Sequence, residues 1–385
     1  MQENNLKEQF LLRQDITYLN FGAYGACPKP IFEEYQNFQR ELEEEPTYFM
    51  QVKGPEYLNT SRAALANYLN CDSDDVVYVT NPSYGVNIIA KSLDLKPGDE
   101  VLTTELEYGA CERTWKYYCR KKGAMYVPQK VSFPLQSKED FITQFLQGVT
   151  SNTKLIFISH LTSTTGLRLP VHEICAFAKE RGILTFIDGA HAPGQVDVDL
   201  TALQPDFYTG ACHKWMLTPK GSSFLYVKKE LQHLFDPLLI SWGYNSDRPS
   251  ESQFLDYHQL QGTRDYSAFL TIPAAISFMQ GNNWETVRKE CRTITQNNAQ
   301  RFCTLLNATP LCPVTDDFIA QLYSVNLKIN APEKLHDMLY EKYKIQVPVM
   351  PHGDQFYFRY SINAFNSNED LDKLYDALEE IIVNK

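Results

Sequence analysis

Short apolar runs that alternate with helical patterns through the middle of the chain constrain its fold more than any other feature. Residues 75–80, 100–104, 155–159, 183–187 and 222–227 are rich in Val, Ile, Leu, Phe and Tyr at strand length. Residues 84–93, 107–120 and 171–179, between them, read as helices. The second helix is closed by Lys121, Lys122 and Gly123, which suits a helix C-terminus. Near-continuous apolar strands separated by helices predict βαβ units and a mostly parallel sheet covered on both faces. Past about residue 275 the pattern changes. Residues 284–306 are helical, residues 320–329 and 356–361 read as strands, and a last helix follows. Ser367 and Asp370 can form its capping box, and Leu371, Leu374, Leu378 and Ile381 repeat at helical spacing. The expected class is therefore α/β: a large domain over 21–274 with a mostly parallel central sheet, and a smaller α+β domain over 275–385. Segment 1–20 is expected to join the smaller one.

Charge and cysteine usage exclude several functions. Lys+Arg 36 against Asp+Glu 47 leaves a net charge of -11, with no long basic run. Such a chain is a poor partner for nucleic acid or an anionic membrane surface. No apolar stretch approaches the roughly 18 residues of a membrane span, and MQENNLKEQF lacks the basic flank and apolar core of a secretory signal. The nine cysteines contain no CxxC pair. A disulfide framework or structural metal site is not expected, and a reducing cytoplasm fits.

Ligands of open α/β sheets bind beyond the carboxyl ends of the strands, so the residues there matter most. After the first strand comes Asn81-Pro-Ser-Tyr-Gly-Val-Asn87. It is either an ordinary turn or a helix N-terminus whose free N–H groups suit a phosphate. After the strand at 183–187 comes Asp188-Gly-Ala-His191. The Asp is either a helix cap or a carboxylate facing a cationic ring nitrogen, as pyridoxal 5′-phosphate (PLP) requires. Cys212-His-Lys-Trp215 lies further on. Lys214 reads either as a surface lysine over an aromatic ring or as a Schiff-base lysine, nucleophile and then base.

Order makes the combination more specific than its parts. With Tyr18-Leu-Asn-Phe-Gly-Ala-Tyr-Gly-Ala-Cys-Pro28, residues 101–110, Ser163-Thr-Thr-Gly-Leu-Arg-Leu-Pro170, Gln261-Gly-Thr-Arg-Asp265 and Phe358-Arg359, the chain resembles the class V aminotransferase family of PLP enzymes, of fold type I. Within it, the chain is most similar to isopenicillin N epimerase-like proteins and related cysteine-conjugate C–S lyases. The resemblance implies PLP as cofactor, with Lys214 as its Schiff-base lysine and Asp188 on the pyridine nitrogen. It implies Tyr108 stacked on the ring, and Ser163 and His191 near the phenolic oxygen. Ser83, Tyr84 and His213 match phosphate-binding positions, and Thr263 matches one that reaches the phosphate of the other subunit, hence a homodimer. Arg359 matches the arginine that holds the substrate carboxylate, while Asn20, Tyr24 and Arg264 match the substrate side of the site. Two departures stand out: Ala211 replaces the phosphate-binding serine of cysteine desulfurases, and residues 345–358 lack the nucleophilic cysteine those enzymes carry.

The resemblance implies an amino-acid substrate and loss of its α-proton to Lys214. The fate of the resulting carbanion separates three activities. Elimination of a β-substituent makes a lyase, return of the proton on the other face an epimerase, and its return to the cofactor carbon a transaminase. A β-elimination on a cysteine-derived substrate is expected, because it needs no second acid; for an epimerase Tyr24 and His258 are the candidates. A catalytically silent PLP-binding regulator is the non-enzyme alternative.

Overall fold

The computed structural model describes residues 6–383, so the first five residues of segment 1–20 and the last two of 275–385 lie outside it. A seven-stranded sheet forms its centre. In chain order the strands are β1 (Val76–Val79), β2 (Glu100–Thr104), β3 (Met125–Gln129), β4 (Thr153–Ser159), β5 (Leu184–Gly189), β6 (Phe207–Ala211) and β7 (Ser223–Val227). Their spatial order is β1-β7-β6-β5-β4-β2-β3, and β7 alone runs against the others. The strands read from the sequence bury both faces, as their apolar-rich runs predict. Successive side chains point to opposite faces of a strand, and here they enter two separate cores. Val76, Tyr78, Leu102, Ile156, Ile158 and Ile187 join one, whereas Val77, Val79, Val101, Leu155, Phe157 and Phe186 join the other. The helices Pro82–Ser92 and Gly109–Lys122 cover the second face through Val86, Ile89, Trp115 and Cys119, and Val171–Glu180 covers the first through Ile174 and Ala178.

Two strands differ from the sequence expectation, each for a local reason. β3 lies at the sheet edge, is largely exposed and contains Pro128, so it lacks an apolar signature. In β6, Gly210 and Thr209 hide a fully buried strand: a Cβ at Gly210 would meet the Phe224 ring at 2.5 Å, and Thr209 donates to the Phe224 carbonyl at 2.8 Å. The helix expected from Glu107 starts at Gly109, because residues 105–108 form a turn in which the Leu106 N–H donates to Thr104 Oγ1. Gly123 closes that helix in the left-handed conformation, φ 73°.

The C-terminal part is built around an antiparallel sheet, β8 (Leu322–Asn326), β9 (Val349–His352) and β10 (Gln355–Ser361), with β10 central. The helix Trp284–Leu305 packs against it, and Asn368–Val383 packs on that helix. The Ser367 N–H donates to Asp370 Oδ2 at 3.2 Å, one half of the expected capping box. Near the N-terminus, Thr17–Tyr18 pair in parallel with Ile345–Gln346. This brings residues 18–25 across the carboxyl ends of the central strands.

Candidate active site

The carboxyl ends of β1, β2, β4, β5 and β6 open on a cavity of about 330 Å³, within the roughly 300–1,000 Å³ of small-molecule sites. Of the residues singled out from sequence, Tyr24, Ser83, Tyr108, Ser163, Asp188, His191, His213 and Lys214 line it. The strand ends explain this convergence, because parallel strands deliver their following loops to one edge of the sheet.

Lys214 and Trp215 sit in a turn clamped by two glycine backbones. Gly25, at φ +65°, stands where a Cβ would lie 2.4 Å from the His213 carbonyl oxygen, and Gly194, at φ +88°, where a Cβ would lie 2.2 Å from that of Trp215. Both the conformation and the close approach exclude a side chain. Gly194→Ala is therefore expected to lower stability by about 2–4 kcal/mol, as left-handed strain adds to a backbone clash. A urea midpoint unchanged from that of the parent would contradict the clamp.

Charge in the cavity is finely opposed. The Lys214 amine is drawn down to about 8, first by burial and then by Arg359, while Asp188 and Cys111 pull the other way. It lies 3.3 Å from His191 Nε2. His191 is held well below the usual imidazole range by burial, Lys214 and Arg359. Asp188 is buried, and its pKa is raised by that burial. Its Oδ1 accepts from the Ala190 N–H at 2.9 Å, and its Oδ2 lies 3.4 Å from the Cys111 thiol. His213 donates through Nδ1 to the Ser222 carbonyl at 2.8 Å, and burial lowers its pKa to about 4.

Arg359, on β10, is 2% exposed and donates to the Ser163 carbonyl at the cavity wall. Its Nε finds no partner among the described residues. Burial brings its pKa down to about 10, with only Tyr18 opposing. A buried cation without a carboxylate is costly. Gly22 leaves room for it, since a Cβ there would come within 3.0 Å of Nη2.

Other expected residues are not brought to the cavity wall. Asn20 is buried beside Ser361, with Oδ1 unpartnered. The Tyr84 N–H caps its helix on Asn81 Oδ1 at 3.0 Å, and its phenol donates to Gln261 Oε1 at 3.1 Å. Thr263 is exposed, and Arg264 lies over the rings of Tyr266 and Phe269 with Nε and Nη2 unpartnered. His258 is 0% exposed, packs on the Phe254 ring and does not line the cavity.

Three residues close to the site went unread in the sequence. Cys111 lies three residues past Tyr108, one helical turn on, which is the spacing that would have pointed to it. Glu107 is buried between Thr104 Oγ1 and Ser159 Oγ, each donating at 2.6 Å, and burial raises it to about 7. The Trp215 indole donates to His191 Nδ1 at 3.3 Å. Among the described residues no cluster of His, Cys, Asp and Glu is arranged to hold a metal, and no helix is long and apolar enough to cross a membrane.

A lysine and an aspartate thus line the cavity at the carboxyl edge of this sheet, with an arginine behind its wall. The chain belongs to the aminotransferase class-V family, whose model matches residues 17–374. Among particular relatives, it is 30% identical to isopenicillin N epimerase of Amycolatopsis lactamdurans, over 98% of each chain. It is 26% identical to a probable chloroplastic L-cysteine desulfhydrase of Arabidopsis thaliana, over 96% of this chain and 83% of that one. Its fold is that of the apo cysteine desulfurase from Thermococcus onnurineus NA1, with TM-score 0.85 at 19% identity, covering 100% of this chain and 98% of the other. The cystine C–S lyase C-DES, solved with its product cysteine persulfide, aligns with TM-score 0.83 at 21% identity, over 95% and 98%.

Proposed function

We propose that this protein is a PLP-dependent enzyme that removes the α-proton of a cysteine-derived amino acid and eliminates its sulfur substituent. The observation that carries this reading is Arg359, a buried guanidinium without a carboxylate partner behind the wall of a cavity that holds a depressed amine. An α-carboxylate would complete it, through the paired donors a planar guanidinium offers.

The residues fit the cofactor. Asp188 is a buried carboxylate with a raised pKa, and a protonated ring nitrogen would stabilise its charged form. The N-terminus of the helix at Pro82–Ser92, with Ser83 on the cavity, suits a phosphate. His213 would join it, and Tyr108, half exposed on the cavity wall, offers a ring to stack. When bound, PLP supplies a sink for the electron pair that the α-proton leaves behind. Lys214 would hold the cofactor and then, as a free amine, take that proton. Ser163 and His191 would orient the phenolic oxygen. The pair from the α C–H bond would become the Cα–Cβ double bond as the Cβ–S bond breaks. The sulfur would leave as a thiolate and take up the proton that Lys214 received, and water would convert the released 2-aminoacrylate to pyruvate and ammonia.

Names of relatives support both this lyase reading and an epimerase. The lyase is preferred because an epimerase needs a second acid on the opposite face. His258 lacks access to the cavity, which leaves the exposed Tyr24. A homodimer accompanies the reading: Thr263 would reach the other subunit's phosphate and Arg264 the substrate side of the site. Nine free cysteines suit a reducing cytoplasm. The test is proton NMR in heavy water on PLP-loaded protein with a panel of cysteine thioethers and sulfoxides. Pyruvate is expected, with free thiol from a thioether and sulfenic acid from a sulfoxide. Deuterium at the α-carbon without pyruvate would replace the lyase by the epimerase.

A further inference from the structure

His191 is held from two sides. The Trp215 indole nitrogen lies 3.3 Å from its Nδ1, and the Lys214 amine lies 3.3 Å from its Nε2. An indole nitrogen is a donor only, so Nδ1 must present a lone pair to it. A neutral imidazole with a bare Nδ1 carries its hydrogen on Nε2. We propose, resting on Lys214 as the lysine that holds PLP, that Trp215 is a positioning residue whose indole N–H fixes the His191 tautomer, so that Nε2–H always faces the Lys214 amine.

The consequence is chemical. Only a free amine has a lone pair to accept that hydrogen, whereas an ammonium would meet it hydrogen to hydrogen. The arrangement thus favours the form of Lys214 that attacks an aldehyde and takes a proton. Other titratable groups around the amine push both ways: Arg359 against the ammonium, Asp188 and Cys111 toward it. His213 next to it is held neutral by burial. His191 cannot escape by double protonation, since burial, Lys214 and Arg359 all oppose a second proton.

Trp215 is built for fixity. It is 1% exposed, its ring lies 4.9 Å from that of Phe21, and its carbonyl is pressed against Gly194. The hydrogen bond to His191 is therefore set by the backbone turn that also carries Lys214. A tryptophan chosen for bulk alone would be replaceable by phenylalanine, which keeps the packing and loses the donor.

Two measurements test this on the apoprotein. With 15N-labelled histidine, two-bond proton–nitrogen correlations read each ring's tautomer. His191, assigned by its loss in His191→Phe, is expected to carry its hydrogen on Nε2, and in Trp215→Phe to populate both tautomers. The second measurement is the rate at which added PLP becomes linked, followed by visible absorbance against pH. Its midpoint is expected near 8 in the parent, as Lys214 titrates, and about one pH unit higher in Trp215→Phe, a tenfold drop in free amine below that midpoint. In a His191→Phe background the same substitution is expected to move nothing further. A parent His191 protonated on Nδ1 overturns the proposal, even if Trp215→Phe fails to fold. So does an unshifted midpoint in a folded Trp215→Phe. Linkage of PLP to a lysine other than Lys214 would instead defeat the underlying reading and leave the tautomer result standing.

Discussion

Lys214→Ala protein loaded with PLP is expected to lose α-proton exchange by on the order of 10³-fold or more, while keeping its fold. The size reflects the lack of a substitute at the site. His191 accepts from the Trp215 indole at Nδ1, so its other ring nitrogen carries the hydrogen, and burial opposes a second proton. His213 is tied through Nδ1 to the Ser222 carbonyl. Burial and nearby groups raise the Tyr108 phenol, so it is a poor base. The fold survives because the turn is set by Gly25 and Gly194 rather than by the lysine side chain. Deuterium uptake into the substrate α-position, beside circular dichroism, measures both. Exchange within tenfold of the parent would mean that another group takes the proton.

Arg359→Met is expected to separate binding from stability. Catalytic efficiency, kcat/KM, should fall by about 10²–10³, since removing one partner of a buried charged pair costs about 2–5 kcal/mol. The free protein should gain stability, by on the order of 1 kcal/mol, because a buried charge without a counter-ion is replaced by an apolar chain of similar length. A structural arginine would behave in the opposite way, because its bond to the Ser163 carbonyl would be lost. A lower urea midpoint together with an unchanged KM would show that Arg359 serves the fold and not the substrate.

Much of the fold and the site is legible in the chain itself. β1, β2, β4 and β5 are buried on both faces, so their sequences are rich in apolar residues; Asp188 lies at the end of β5, and the segments beyond the strands carry Ser83, Tyr108, Ser163 and His191. The hidden part depends on contacts between distant segments. β6 reads as a loop because Gly210 is required by Phe224 across the sheet. Cys111 reads as one of nine free thiols until β5 sets Asp188 beside it. The bond from Trp215 to His191 spans 24 residues, and no spacing rule joins a loop after β5 to a loop after β6. Tyr84, Thr263 and Arg264 stand out by order along the chain, whereas within one chain they do not line the cavity.

The central claim is that Lys214 holds the cofactor. Its most direct test is to load the protein with PLP, reduce with borohydride, digest and locate the phosphopyridoxyl group by mass spectrometry. The group is expected on the peptide containing Cys212-His-Lys-Trp215, at Lys214. A modified Lys220, or label spread over surface lysines with Lys214 unmodified, would contradict it.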